Sequence, residues 1–272
     1  MKKYLLFTLS ALLTCFCMAS AEPDYAAGDV ITIGTYEQDG NLSNGAEPIE
    51  WQVLGKNSDN SYVLMSQYAI DAMEYNVENV EVTWETCTLR QWLNGEFYQT
   101  AFTDDERGLI QLTTLENADN PVYGYYTEGG NDTQDYVYLL SLDDVEKYYW
   151  TKLEGFVSNF GKCEDLICVA TQYALDNGAV AVTQEQIDQY MEEYRFRREY
   201  DYPLHANATC WWLRSPGSGS CRAAYIDMAG QVQLTGYHVD NIGFEPDLGA
   251  DLCIRPVIVV NYSGSEVSPS GQ

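Results

Sequence analysis

The chain has 272 residues, with 41 acidic side chains against 14 lysines and arginines and a formal net charge of −27. That balance argues against a nucleic-acid or anionic-membrane partner, because either requires a Lys/Arg footprint. With 46% hydrophobic residues and 22 tyrosines, the chain is too apolar for a disordered acidic segment and long enough to bury a sizeable core.

Lys2 and Lys3 form a basic start, residues 4–18 an apolar run, and Ala19-Ser20-Ala21 a small-residue cleavage site. This predicts a secretory signal peptide over residues 1–21; the run is too short and wrongly flanked for a membrane span. No later stretch is apolar enough to span a bilayer. The expected product is exported and soluble, either secreted or held at the cell envelope.

Period-two alternation predicts strands at residues 30–37 (VITIGTYE), 49–54 (IEWQVL) and 61–68 (SYVLMSQY), a three-stranded antiparallel meander. Residues 86–93 follow as a helix, with Leu89, Trp92 and Leu93 on one face and a stop at Asn94-Gly95. A second short helix is expected over 96–102, and Thr103 to Glu106 reads as a capping box opening a third. Residues 117–135 have turn-forming composition and predict a long exposed loop containing Tyr123, Tyr125 and Tyr126. A strand at 136–141 precedes a helix capped by Ser141, and Thr183 caps another.

Strands return at the C-terminal end. Residues 209–214 lead to Ser-Pro-Gly, 223–228 and 231–235 form a hairpin about Ala229-Gly230, and 252–261 (LCIRPVIVVN) is a strongly apolar strand. Residues 263–272 are expected to be a flexible tail. Strands at both ends with short helices between them imply one α+β domain over 22–262 whose terminal strands pair.

Six cysteines follow the leader: Cys87, Cys163, Cys168, Cys210, Cys221 and Cys253. Two readings stand. An even count in an exported chain suggests disulfides, with Cys163–Cys168 and Cys210–Cys221 as local pairs and Cys87–Cys253 left over. The alternative is buried free thiols. A zinc site is not indicated, since there is no C-x-x-C and the only histidines are His205 and His238.

Several stretches occur together in order: residues 49–54, residues 88–94 with Phe97 and Phe102, residues 138–141, TCWWLRSPG at 209–217, the turn from Asp227 to Gly230, and residues 254–257. In that order the chain resembles the bacterial family called domain of unknown function 6273. The structural signature of the resemblance is Trp51, Arg90, Trp92, Trp212, Arg214, Asp227, Gly230, Arg255 and Pro256. The W-x-R-S strand, the hairpin and the closing R-P strand are also similar to the end of the C-type-lectin-like fold of formylglycine-generating enzymes. That likeness implies a scaffold whose loops carry recognition. The chain departs from those enzymes, having neither a cysteine pair arranged like their copper site nor a three-histidine set.

Arg90, Arg214 and Arg255 each sit in an apolar segment. Either they clamp a ligand carboxylate or sugar hydroxyls, or they are buried against acids and carbonyls. Trp211 and Trp212 must face opposite sides of their strand. The candidate ligand contacts are therefore Tyr123, Tyr125, Tyr126, Trp211 and Arg214. No nucleophile elbow is present, and paired acids such as Asp143-Asp144 are explained as helix caps. No catalytic residue and no cofactor is assigned; calcium would bind at residues 245–251 (EPDLGAD), although no EF-hand spacing is present. The expected function is a secreted, non-catalytic module binding a glycan or protein. The alternative is an extracellular enzyme on the same scaffold with a metal or thiol site.

Overall fold

Alternation at the N-terminal end turns one set of side chains inward and pairs the strands edge to edge. The computed structural model describes residues 23–120, 126–149, 164–193, 205–241 and 252–262. There β1 (Val30–Tyr36), β2 (Glu47–Lys56) and β3 (Tyr62–Ser66) form the expected antiparallel meander. Ile49, Trp51 and Val53 are buried, and Glu50 between them is exposed.

After the short β4 (Asp71–Ala72) come α1 (Thr88–Trp92), a wide π-helical turn (Leu93–Phe97), α2 (Tyr98–Ala101) and α3 (Asp104–Leu109). The helix does not stop at Asn94-Gly95. The Asn94 amide nitrogen donates to the Arg90 and Val137 carbonyls, while its oxygen accepts from the Tyr136 and Val137 amides. The side chain thus ties the helix to a neighbouring strand, and the π turn carries the chain past it. Thr103 opens α3 with the predicted capping box, reciprocated by Glu106.

A ribbon of β5 (Thr113–Leu115) and β6 (Thr133–Asp135) follows, then β7 (Val137–Tyr138) and α4 (Leu142–Tyr149). Ser141 caps α4 by accepting from the Asp144 amide. Next come a 3-10 turn (Glu164–Leu166), β8 (Cys168–Val169), α5 (Gln172–Asp176) and α6 (Gln184–Glu193). The chain closes through β9 (Ala208–Thr209), β10 (Trp211–Pro216), β11 (Arg222–Ile226), β12 (Val232–His238), β13 (Cys253–Ile254) and β14 (Val257–Val260).

This is the α+β class that the sequence implies. One five-stranded sheet runs β1-β2-β3-β14-β7, a second β12-β11-β10-β13-β4, and within the latter only β10 and β13 pair parallel. Residues 252–261 are not one strand. Pro256 has no amide hydrogen to give a ladder, and the stretch splits there. Cys253–Ile254 joins the second sheet beside β10 and β4, whereas Val257–Val260 joins the first between β3 and β7. One apolar stretch stitches both sheets, with Arg255 at the crossing. The terminal strands share a sheet, although β14 pairs with β3 and not with β1.

Cys87, Cys168, Cys210, Cys221 and Cys253 are free thiols, which corrects the disulfide framework; Cys163 lies outside the described residues. The Cys87 sulfur is the N-cap of α1, accepting from the Arg90 amide. That of Cys253 lies 3.2 Å from the Thr209 hydroxyl. Burial pushes the Cys87 and Cys210 thiols up to about 12 and raises that of Cys253 as well. Since the thiolate is the reactive form, iodoacetamide at mildly alkaline pH should leave Cys87 and Cys253 unmodified in the native protein. Mass spectrometry should find both alkylated after unfolding without a reductant; labelling that needs prior reduction would restore their disulfide.

The expected signal peptide (1–21) and tail (263–272) lie outside the described residues. Among the described residues, no helix is long and apolar enough to cross a membrane.

Candidate functional site

Within TCWWLRSPG, Thr209 ends β9, Cys210 is half-buried, and Trp211–Pro216 form β10, buried along its entire length. Trp211 and Trp212 alternate as expected and both rings are fully buried. Trp211 Nε1 donates to the Leu166 carbonyl and Trp212 Nε1 to that of Met73, each at 3.1 Å. Arg214 is 6% exposed. Its Nη1 meets the Asp144 carboxylate and the Leu139 carbonyl, Nη2 the Glu116 carbonyl, and Nε the Asn117 side chain. Burial alone would push the Asp144 carboxyl up; the Arg214 charge and the Ser141 amide and hydroxyl outweigh it and hold the carboxyl below the usual range. Trp211 and Arg214, expected as ligand contacts, therefore lie buried inside the fold.

The other signature residues are placed structurally too. Trp51 Nε1 donates to the Ile33 carbonyl at 2.7 Å, and Trp92 packs on Tyr36 and Phe97. Arg90 Nε pairs with the fully buried Asp135 at 2.6 Å. Asp227 accepts from the Ala229 and Gln231 amides, and Gly230, at φ +73°, closes the β11–β12 turn. Arg255 is 2% exposed, donates from Nε to the Ser66 carbonyl at 2.8 Å and lies over the Trp211 ring. It differs from Arg90 and Arg214 in having no carboxylate partner among the described residues.

What β10 positions is the turn beyond it. There three loops enclose a groove of about 520 Å³. Glu81, Val82, Thr83 and Thr86, just before α1, form one wall. This wall is held by Trp84, whose buried ring donates from Nε1 to Asp135 at 3.0 Å. Asp135 also holds Arg90, so one interior carboxylate fixes both the loop and the helix behind it.

Tyr126, Thr127 and Glu128 form the second wall. Residues 117–135 are expected as an exposed loop; among those described, Asp119, Glu128, Asn131, Asp132 and Gln134 are exposed, but other polar side chains turn inward. Asn117, Asn120, Thr127 and Thr133 are buried. Asn120 Nδ2 reaches the Pro216 and Leu234 carbonyls, both at 2.9 Å, while its amide donates to the Thr127 carbonyl. Gly129 packs so closely that an added Cβ would sit 2.2 Å from the Asn117 carbonyl. Tyr126 is left with a positive φ of 38° and 70% of its surface exposed. Such a backbone is unfavourable for a side chain with Cβ and persists where the surroundings impose it. Tyr123 and Tyr125 lie outside the described residues.

Ser218, Gly219 and Ser220 complete the groove. The Val82 amide donates to the Ser220 carbonyl at 3.0 Å, joining this wall to the first, and the Ser218 amide donates to Thr235. The lining groups are thus hydroxyls, backbone and the carboxylates of Glu81 and Glu128 around one exposed aromatic ring. Such a set can hydrogen-bond and stack.

A separate carboxylate group lies at the end of β1. Glu37, Asp39 and Glu47 each offer an oxygen within 4.8 Å of the others, and no other such group occurs among the described residues. Partial burial, then Glu47 and Asp39, pushes the Glu37 carboxyl up. Residues 245–251, where calcium was expected, lie outside the described residues. Of the expected ligand contacts among the described residues, Tyr126 lies on the groove and Trp211 and Arg214 do not. The walls at 81–86 and 218–220 escaped sequence reasoning; their one signal was the polar turn PGSGS after the tryptophan-bearing strand.

A family model described as domain of unknown function (DUF6273) matches residues 59–262. No curated protein and no solved structure matches the chain.

Proposed function

The chain belongs to the DUF6273 family, and from that premise we propose that it is an exported, non-catalytic module that binds a glycan in the three-loop groove. The observation that carries this reading is the exposed Tyr126 ring set among hydroxyls and carboxylates on an otherwise buried frame. Sugars present one apolar face and many hydroxyls, so they suit a site with an aromatic platform and convergent polar groups. Hydrogen bonds that tie the walls to the core also limit the entropy lost on binding. The leader-like N-terminal residues support export. A C-type-lectin-like scaffold is supported by β10, β11, β12 and β13, which carry that likeness in sequence and lie together in one sheet.

A glycan array probed with wild type and Tyr126→Ala tests the proposal. The wild type should bind a subset of glycans, and the variant should lose that signal by about tenfold or more, as expected when a stacking ring is removed. If the folded wild type binds no glycan, the reading falls. If it captures only proteins, the ligand is a protein.

A further inference from the structure

We infer that Asn120 is the positioning residue of the groove: it clamps the segment that ends at Tyr126 and thereby aims the exposed ring. The binding part of this inference rests on the glycan reading above, whereas the clamp rests on geometry alone. Asn120 does not line the groove and is 2% exposed. Its main chain forms an antiparallel bridge with Thr127, the residue after Tyr126, and its amide donates to the Thr127 carbonyl at 2.9 Å. Its side chain reaches the opposite wall. Nδ2 has two hydrogens to give, and they go to the Pro216 carbonyl at the end of β10 and the Leu234 carbonyl in β12. One buried residue thus fixes the foot of the Tyr126 wall against the strand that leads into the Ser218–Ser220 wall.

The chain that returns from Tyr126 is held just as closely. The Gly129 amide donates to the Asp119 side chain at 3.0 Å, and an added Cβ at Gly129 would also meet the Ala118 carbonyl at 2.4 Å. At Gly130 a Cβ would sit 2.7 Å from Thr83 Oγ1, so the same segment is seated on the first wall. Tyr126 enters this clamp at φ +38°. That backbone is unfavourable for any residue with a Cβ, and glycine adopts it without the penalty. Tyrosine therefore stands where glycine would be the more stable residue. Strain of this kind persists because the surroundings impose it, and here it leaves the ring on the groove.

A double-mutant cycle on melting temperature tests the clamp. With Asn120 in place, Tyr126→Gly should melt about 4 °C above Tyr126→Ala. In an Asn120→Ala background that difference should vanish, because the segment relaxes. A merely structural Asn120 would lower every melting temperature alike and leave the difference intact. Affinity for the glycans that wild type selects on the array should fall about tenfold in Asn120→Ala with Tyr126 unchanged. Asn120→Ser keeps one side-chain donor; it should give an intermediate difference, and it takes the place of Asn120→Ala in the cycle if that variant does not fold. Equal melting of the glycine and alanine variants, a difference that survives the loss of Asn120, or undiminished affinity in Asn120→Ala overturns the inference. A wild type that binds no glycan overturns the glycan reading alone, and the melting cycle still decides the clamp.

Discussion

Arg214→Met should lower stability by about 3–5 kcal/mol, the cost of breaking a buried ion pair by removing one partner. For a chain of this size that corresponds to a fall in melting temperature on the order of 10 °C. The cause is what the substitution leaves behind: Asp144 without its guanidinium, and the Leu139 and Glu116 carbonyls without their donors. Arg255→Met should behave differently. Arg255 has no carboxylate partner among the described residues, so its removal strands no opposite charge, only the Ser66 carbonyl. A methionine of similar length fills the space over Trp211, and the change should stay within about 1–2 kcal/mol, the scale of one hydrogen bond. Thermal melts of the two variants side by side check the contrast; equal losses would mean that packing at both positions outweighs charge pairing.

The ion pair also fixes a pH dependence. The folded Asp144 carboxyl is held below its ordinary range, so the pair's contribution is present above the ordinary carboxylate value. It is lost as pH falls through the depressed folded value. Wild type should therefore lose stability on acidification over that acid window, and Arg214→Met should lose less over the same window. A parallel decline in the two proteins would assign the acid sensitivity to other carboxylates.

Trp212→Ala is the second large effect, at about 3–5 kcal/mol for a buried tryptophan truncated to a methyl group. The ring is fully buried, packs edge-on against Tyr75 with centroids 5.6 Å apart, and ties β10 to the segment after β4 through the Met73 carbonyl. Tyr75 in turn donates to the Arg214 carbonyl at 2.9 Å. Loss of the ring thus loosens the same strand that Arg214 secures through its own partners. Denaturant titration should show the midpoint shift with little change in slope; a midpoint within error of wild type would mean that the core closes over the cavity without cost.

The two predictions show how much of the molecule was legible in sequence. The period-two strands, the Thr103 and Ser141 caps and the Asp227–Gly230 turn are local, and local rules found them. The split of residues 252–261 between two sheets was not legible in the same way. Apolar periodicity does not say which sheet a strand joins, although Pro256 marked the break. The loop at 117–135 misled for a related reason. Asn, Asp and Gly indicate turns, but whether Asn120 faces water or the Pro216 and Leu234 carbonyls depends on contacts roughly a hundred positions away. Arg214 was legible as either a ligand clamp or a buried pair, and only Asp144 beside it decides between them. The candidate site was the least legible part, because its three walls are brought together by the fold and share no motif. TCWWLRSPG proves to be the frame, and the residues after it form the wall.

The central claim is that this frame and the groove are energetically separate: β10 supports the fold and Tyr126 supports binding. The most direct test measures melting temperature and glycan binding together on Tyr126→Ala. The account predicts melting within about 2 °C of wild type, as for an exposed side chain, with glycan binding reduced about tenfold or more. Unchanged binding, or a loss of binding that comes only with a matching loss of stability, would contradict it.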